Sequence, residues 1–457
     1  MSTSARKRLT VVDSGGQPPD GGAPDPNGWK ARLIRGKGDR IEGSLFNLTT
    51  ILENDPHFAG LFWLNQSSNQ VLLSRDAPWK GGTRDEFTDT DACEMAAWLQ
   101  DGSRYQMAVS DEVVLKAVIT VARRHGRHPI REYLTSLRWD GKPRVERMLV
   151  DIFGTEDTRY NLGASSCFMV SAVSRILWVD PKQPYMGSKV DFMLVIEGLQ
   201  GKRKSTALQT LFGGNWYIET HESPSSKDFY VVIQGVWCVE IAEMDSFSKA
   251  DVTSVKAAIT RRKDTFRAPY ERTSRNYRRE CVLSGTTNEN EYLRDATGGR
   301  RFLPVRVQDS TSINIERLAA ERDQLWAEAV AMFAGGFQWW ELPEEAADQQ
   351  EERYLGDSWE DRVARWLAGK DPSDNAYPAR IALTTGIDYV TTDELLEYAV
   401  KLDRARHDRP AQMRMANAMK RLGWRQQRVV TEFGHRERRW VNTKRPAPAG
   451  GSGGPPF

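Results

Sequence analysis

The sequence predicts an α/β core built around a phosphate-binding loop, with a mixed α+β domain before it and a winged-helix-like domain after it. Three observations carry that expectation. A short apolar run over residues 191–196 leads into a glycine-rich turn and then a helix with Ala207, Leu208, Leu211 and Phe212 on one side, the strand–loop–helix order such a loop requires. Two more apolar runs, residues 236–240 and 281–288, end in polar residues and read as buried strands. Near the C-terminus, two helical stretches and a strand pair follow one another in the order of a winged helix.

At 457 residues the chain has room for about three domains, each large enough for its own core. Lys and Arg total 64 against 62 Asp and Glu, a formal charge of +2, so any nucleic-acid binding must come from local patches rather than bulk charge. The hydrophobic fraction is 39% and the mean hydropathy is -0.58. No run approaches the roughly 18 apolar residues of a membrane span. No apolar core follows residues 1–7 as a signal peptide would require, so a cytoplasmic protein without a membrane partner is expected. Cys93, Cys167, Cys238 and Cys281 stand singly, which argues against a zinc ribbon or a disulfide framework and predicts four small buried residues. His125 and His128 lack acidic or cysteine partners at metal-ligand spacing.

Residues 1–28 are rich in Gly, Pro and Asp, and the tail 446–457 is similar; both are expected to be disordered. Residues 29–154 read as the α+β domain. They contain a strand-like Leu61-Phe62-Trp63-Leu64 and a helix over 111–125, in which Val113, Val114, Ala117, Val118, Val121 and Ala122 form one apolar stripe. Trp63, Trp79, Trp98 and Trp139 are expected to pack in cores rather than to stack on bases. Residues 155–345 hold the loop-bearing domain, with a helix over 160–178 ahead of the loop and another over 315–333 behind the last strand. An acidic linker or helix is expected over 346–375, because residues 341–361 carry nine Asp or Glu and one Arg. Residues 376–445 form the winged-helix-like domain.

The loop segment is Glu197-Gly198-Leu199-Gln200-Gly201-Lys202-Arg203-Lys204-Ser205-Thr206. Its backbone N–H groups and the N-terminus of the next helix are placed to cradle phosphates, Lys204 to reach β and γ oxygens, and the Ser205 hydroxyl to ligate Mg2+. Gly198, Gln200, Gly201, Lys202, Arg203, Lys204, Ser205 and Thr206 are therefore the candidate nucleotide-binding residues, with ATP and Mg2+ as cofactors. Arg203 stands where the motif has its second Gly, a position that a side chain either crowds or forces into an unfavourable backbone angle. The alternative is a strand–turn–helix with incidental Gly and Lys.

Such a loop needs an acidic partner on a neighbouring strand, and Glu240 and Glu243 supply it. Glu240 is assigned to the metal and Glu243 to the attacking water, with a plain surface charge as the alternative for either. Ser205 and Glu240 are 35 residues apart, so little more than one helix and one strand fit between them. Asn288, at the end of the third apolar run, either hydrogen-bonds the attacking water or the γ-phosphate, or forms a turn. Gly298-Gly299-Arg300-Arg301-Phe302 presents two guanidinium groups beside a flexible turn. Arg300 and Arg301 are candidates for an arginine finger reaching into a neighbouring subunit, which predicts an oligomer.

Two basic patches remain. Lys256, Arg261, Arg262, Lys263, Arg267, Arg272, Arg275, Arg278 and Arg279 interleave with Phe266, Tyr270 and Tyr277, a pattern suited to single-stranded nucleic acid or to a basic surface hairpin. Residues 401–445 carry fourteen Lys or Arg and four Asp or Glu. There a helix opens with Thr392 as N-cap, a second spans 411–422 and is stopped by Gly423, and strands 424–430 and 438–441 pair around Gly434. Arg414, Lys420 and Arg421 on the helix, with Arg436, Arg438 and Arg439 on the hairpin, would contact duplex DNA. An oligomerisation cap is the alternative.

The order of motifs carries a resemblance. His128-Pro129, Tyr133-Leu134 and Leu137-Arg138-Trp139-Asp140-Gly141 come first, then the loop, Glu240-Ile241-Ala242-Glu243, and Val255-Lys256-Ala257-Ala258-Ile259-Thr260-Arg261 with Asp264, Phe266-Arg267 and Pro269-Tyr270. Gly285-Thr286-Thr287-Asn288 and Thr297-Gly298-Gly299-Arg300-Arg301-Phe302 follow. Over residues 40–345, and more loosely beyond, this resembles the virulence-associated E family of phage, prophage and genomic-island proteins, whose P-loop ATPase is related to superfamily 3 helicases.

The resemblance implies an AAA+/superfamily 3 helicase-like core and an ATP-dependent DNA helicase-like replication protein. Its subunits would form a homo-oligomeric, hexameric ring that hydrolyses ATP at its interfaces and draws single-stranded DNA through a central channel. In those terms Gly198, Gly201, Lys204, Ser205 and Thr206 bind ATP and Mg2+, Glu240 and Glu243 form the second ATPase motif, Asn288 is the sensor, and Arg300 or Arg301 acts in trans. Residues 256–272 correspond to the DNA-contacting hairpin. No primase-like domain is read ahead of the loop, so a separate primase is expected. The rival reading is an ATP-gated DNA-binding initiator or regulator with little hydrolysis and no unwinding, which Arg203 favours. A host-directed virulence factor finds no secretion signal here.

Overall fold

The structure, a computed structural model, describes residues 27–242, 249–266, 273–289, 301–353, 357–368, 389–430 and 435–442. Apart from Asn27 and Gly28, the expected N-terminal tail lies outside these residues, as do the expected C-terminal tail and Gly434. The chain forms two compact units, Met1–His128 and Pro129–Phe457.

In the first unit, helix Leu45–Asn54 precedes a hairpin of β1 (Phe62–Asn65) and β2 (Gln70–Leu73), and helices Asp89–Gln100 and Asp111–Arg124 follow. The hairpin is antiparallel with Phe62 opposite Leu73. Caps set the helix starts: the Ser44 hydroxyl accepts from Asn47 N–H, and Thr88 and Asp91 form a reciprocal capping box. The stripe of the last helix is buried as expected through Val114, Ala117, Val118, Val121 and Ala122, against Leu48, Ile51, Phe58 and Phe62. Trp79 and Trp98 are buried in the same core. Trp63 is half-buried, with the Arg127 guanidinium over its ring. Cys93, expected inside, is exposed, because its helix buries the face of Ala92, Met95, Ala96 and Leu99 instead.

The second unit begins earlier than the expected boundary at residue 154. Ile130, Leu134, Val145, Met148, Leu149, Ile152 and Phe153 are core residues of the second unit, packed with the long helix Arg159–Leu177. Trp139, expected in a core, is 42% exposed, its indole N–H donating to Lys142 O.

Five strands form the central sheet: β3 (Met193–Glu197), β4 (Tyr217–Thr220), β5 (Cys238–Ile241), β8 (Val282–Thr287) and β9 (Phe302–Arg306). Between β5 and β8 the chain makes helix Lys249–Ile259 and a separate antiparallel ribbon of β6 (Lys263–Phe266) and β7 (Arg275–Arg278). The sheet is parallel throughout, in the order β4-β5-β8-β3-β9. One face carries Leu194, Ile196, Leu303 and Val305 against helices Arg159–Leu177, Lys204–Phe212 and Ile315–Ala334. The other carries Met193, Val195, Val239, Ile241 and Leu283 against Phe229, Val255 and Ile259. Burial on both faces explains why these strands read as unbroken apolar runs. From β3 the chain crosses to β4 and steps back through β5 and β8, whereas β9 lies on the other side of β3. A crevice opens outside the C-terminal ends of parallel strands where their order reverses in this way.

Toward the C-terminus the described residues of the acidic stretch form two helices, Ala346–Glu352 and Ser358–Leu367. Of the two forms expected, linker or helix, the second of these is a helix with a buried face: Trp359, Val363 and Trp366 pack with Leu395, Leu396, Met415, Met419, Trp424 and Trp440 in one cluster. Strands β10 (Tyr389–Val390), β11 (Trp424–Val430) and β12 (Arg436–Asn442) make an antiparallel sheet in the order β10-β12-β11 beside helix Arg409–Arg421. The N-cap expected at Thr392 is Thr391, in a capping box with Glu394; Thr392 accepts from the Trp440 indole. Gly423, with φ of 80°, ends the second helix as expected. No helix among the described residues is long and apolar enough to cross a membrane.

Candidate functional site

β3 ends at Glu197, and the chain turns through residues 198–203 into helix Lys204–Phe212. Three turn residues have positive φ: Gly198 at 147°, Gly201 at 83° and Arg203 at 62°. At Gly198 an added Cβ would also lie 3.3 Å from Val307. Arg203 is left-handed (ψ 32°) just before the helix, a conformation that costs a non-glycine residue about 1–2 kcal/mol. Of the two outcomes expected there, the unfavourable backbone angle is the one realised. The Arg203 guanidinium is about half exposed, 3.4 Å from Glu316.

A cleft of about 300 Å³ opens over the loop, lined by residues 200–206 with Glu219, Ala242, Thr286, Thr287 and Asn288. Lys204 Nζ lies across the loop, donating to Gly198 O at 2.6 Å, Leu199 O at 3.2 Å and Asn288 Oδ1 at 2.9 Å. The loop lysine and the strand-tip asparagine, 84 residues apart, therefore meet. Lys202, expected to bind nucleotide, has another partner: its Nζ donates to Asp309 O and Thr311 O. It ties the loop to the segment after β9.

Glu240 is fully buried, yet both its oxygens are hydrogen-bonded. Oε1 accepts from Ser205 Oγ at 2.7 Å and Thr286 Oγ1 at 2.6 Å, and Oε2 accepts from the Tyr217 hydroxyl. Three hydroxyl donors offset the burial of the carboxylate. Burial first, and then the bond to Glu240, push the Tyr217 hydroxyl well above its ordinary value of 10.0, so it stays a donor. A hydroxyl and a carboxylate suit Mg2+, which takes one or two protein oxygens and completes its shell with phosphate and water. Among the described residues no three His, Cys, Asp or Glu gather as a metal-binding group.

Tyr217 was not singled out in the sequence, and Thr286 only as part of the motif Gly285-Thr286-Thr287-Asn288 with no role of its own, although strand period places both. Glu240 is in register with Glu219 and with Ser284, so Tyr217 and Thr286, two residues away on those strands, share its face. At the C-terminal end of β3, Glu197 is held by Arg353, whose Nε lies 3.0 Å from Oε1.

Glu243 and Arg300 lie outside the described residues. Arg301 immediately precedes β9, whose first residue pairs with Met193 at the start of β3. Five residues separate it from Arg306, which is in register with Glu197, so at the ordinary rise per residue it stands about 17 Å, a full strand length or more, from the end where its own chain's cleft opens.

Of the basic hairpin residues, Arg267 and Arg272 lie outside the described residues. Lys256, expected at the surface, is 6% exposed, with its ammonium over the Phe302 ring. Arg261 and Lys263 are exposed beside the Tyr230 and Tyr185 rings, and Arg262 lies over Trp178. In the C-terminal module, Arg414 is bonded to Asp357 through two nitrogens at 2.6 Å and lies over Trp359. Arg421 pairs with Glu360 and Arg439 with Glu437. These three serve intramolecular contacts, whereas Lys420, Arg436 and Arg438 are exposed. Exposed Arg428, not expected from sequence, stands directly opposite Arg438.

Residues 134–355 match the model of the virulence-associated protein E-like domain. No curated protein matches the chain. Among solved structures, an apo A form of the NrS-1 C-terminal region is similar at 13% identity, covering 68% of this chain and 78% of that one, with a TM-score of 0.40. Two further apo structures of that region match at 11% and 10% identity. They cover 83% and 87% of this chain and 95% and 99% of theirs, each with a TM-score of 0.44.

Proposed function

Since residues 134–355 form a virulence-associated protein E-like domain, we propose that the chain is an ATP-dependent, DNA helicase-like replication protein of a phage or other mobile element. The observation that carries the reading is the meeting of Lys204, Ser205, Glu240 and Asn288 at the C-terminal ends of β3, β5 and β8. In this reading the loop is a P-loop and the core is of the AAA+/superfamily 3 kind.

Ser205 and Glu240 would hold Mg2+, which when bound neutralises charge on the phosphate oxygens. Lys204 exchanges its bonds to Gly198 O, Leu199 O and Asn288 for phosphate oxygens. Asn288, released, orients the water that attacks the γ-phosphate. Arg301, a strand length from its own cleft, is suited to act on the cleft of a second copy in a ring, with Arg300 beside it. Arg261 and Lys263 at the hairpin would meet single-stranded DNA. Lys420, Arg436 and Arg438 on a winged-helix-like module would meet duplex phosphates.

The test is the steady-state ATPase rate with and without single-stranded DNA, using Lys204→Ala as the blank. DNA-stimulated turnover absent from the variant is expected; equal turnover in the variant would refute the reading. A second reading, an ATP-gated initiator that hydrolyses little, is favoured by the left-handed Arg203. Nucleotide binding without turnover would support it.

A further inference from the structure

A buried guanidinium outside the cleft joins the β6–β7 hairpin to the strand that carries the loop. Arg175 is 2% exposed and sits in the last turn of helix Arg159–Leu177. Its Nη1 donates to Ser188 O at 2.9 Å and Arg261 O at 3.1 Å, and its Nη2 to Val190 O and Ile259 O at 3.3 Å. Two of these carbonyls end helix Lys249–Ile259 and lead into β6; the other two lead into β3. A helix C-terminus leaves carbonyls unpaired and attracts a cation, so one helix is capped by a side chain from another. Burial pushes the guanidinium down to about 10, and Arg279 adds to the fall. It remains charged at neutral pH.

Shorter ties surround it. Gly187 N–H donates to Arg262 O at 2.8 Å, Arg279 N–H donates to the same carbonyl at 3.0 Å, and Arg262 Nε donates to Gly187 O at 2.9 Å. A Cβ at residue 187 would lie 2.7 Å from Arg279 O and 2.8 Å from Arg262 O, so only glycine fits that close approach. Within the hairpin, Arg279 Nε and Nη2 both reach Asp264 at 2.6 Å, with the two side chains 1% and 2% exposed. Arg278 donates to Trp178 O at the end of the long helix. Buried charges are costly and add little net stability against a well-packed apolar core. What this cluster supplies is fixed geometry.

We infer that Arg175 and Gly187 are positioning residues that hold the β6–β7 hairpin rigidly against the segment leading into β3, so that hairpin and loop-bearing strand move as one body. The consequence for DNA rests on the proposed reading of the hairpin. A shift of the loop on nucleotide binding or release would reach exposed Arg261, Lys263 and Arg275 without being absorbed at the hairpin base.

The test applies Arg175→Lys and Gly187→Ala to the full chain and measures amide hydrogen exchange by residue, then turnover with and without single-stranded DNA. A lysine cannot bond four carbonyls, and the alanine methyl forces the two segments apart. Exchange at Gly187, Arg279 and β6–β7 is expected to quicken about tenfold or more, with helix Lys204–Phe212 and β8 unchanged. Basal turnover should persist while DNA stimulation is lost. Exchange that quickens everywhere alike, or nowhere, overturns the inference. If Arg175→Lys does not fold, Gly187→Ala carries the same readouts. Local loosening in a protein whose wild type does not respond to DNA leaves the clamp standing and refutes the DNA reading instead.

Discussion

Ser205 Oγ lies 2.7 Å from Glu240 Oε1, which links the first turn of the helix after β3 to β5, two strands away across β8. Neither residue could hold this position alone. The hydroxyl is placed by the turn through Gly198 and Arg203, and the carboxylate is tolerated in the sheet because Thr286 and Tyr217 donate to it as well.

Glu240→Ala removes the acceptor for three hydroxyl donors. An unsatisfied buried polar group costs about 1–3 kcal/mol, so a stability loss in at least that range is expected in denaturant unfolding. Glu240→Gln keeps the volume and should fold, with turnover reduced on the order of 100-fold. A Glu240→Gln enzyme of full activity would remove the metal role.

The angle at Arg203 is separable from its side chain. Arg203→Gly and Arg203→Ala both lose the exposed pairing with Glu316, but only glycine is at ease at φ of 62°. The glycine variant should be the more stable by about 1 kcal/mol. Equal midpoints in urea would show that the turn relaxes in the alanine variant.

Asn288→Ala leaves the loop and Glu240 in place. If Asn288 orients water, kcat should fall by about one to two orders of magnitude with nucleotide affinity nearly unchanged. A weakened affinity with normal kcat would instead make it a binding residue.

Tyr217 provides a pH signature. Its hydroxyl pKa is raised in the folded protein, by burial and by Glu240, so its contribution to stability is complete below the unfolded value of 10.0. That contribution falls as pH rises beyond it. Unfolding free energy should therefore drop more steeply above that pH in wild type than in Tyr217→Phe. Parallel slopes would contradict the burial of this hydroxyl.

Much of the central sheet could be read in advance because parallel strands buried on both faces are continuous apolar runs. Met193–Glu197, Cys238–Ile241 and Val282–Thr287 fall within a few residues of the runs expected at 191–196, 236–240 and 281–288. Helix Ser358–Leu367 lies in the stretch expected as an acidic linker or helix, but its buried face was missed because charge counting averages over all sides of a helix. Trp359, Val363 and Trp366, at helical spacing, were the better signal. The first unit's end at His128 had no local mark, since the apolar residues of helix Pro129–Ser136 look the same whichever core they join.

By itself the sequence determined the loop, its helix and the polar ends of the strands, because glycine spacing and apolar period act over a few residues. Tertiary structure decided that β8 lies between β3 and β5, that Tyr217 and Thr286 share the face of Glu240, that the Lys202 ammonium bonds Asp309 O and Thr311 O, and that Arg175 bonds carbonyls ahead of both β3 and β6. These depend on strand order, register and burial, which arise from contacts between residues far apart in the chain and leave no pattern in either segment alone.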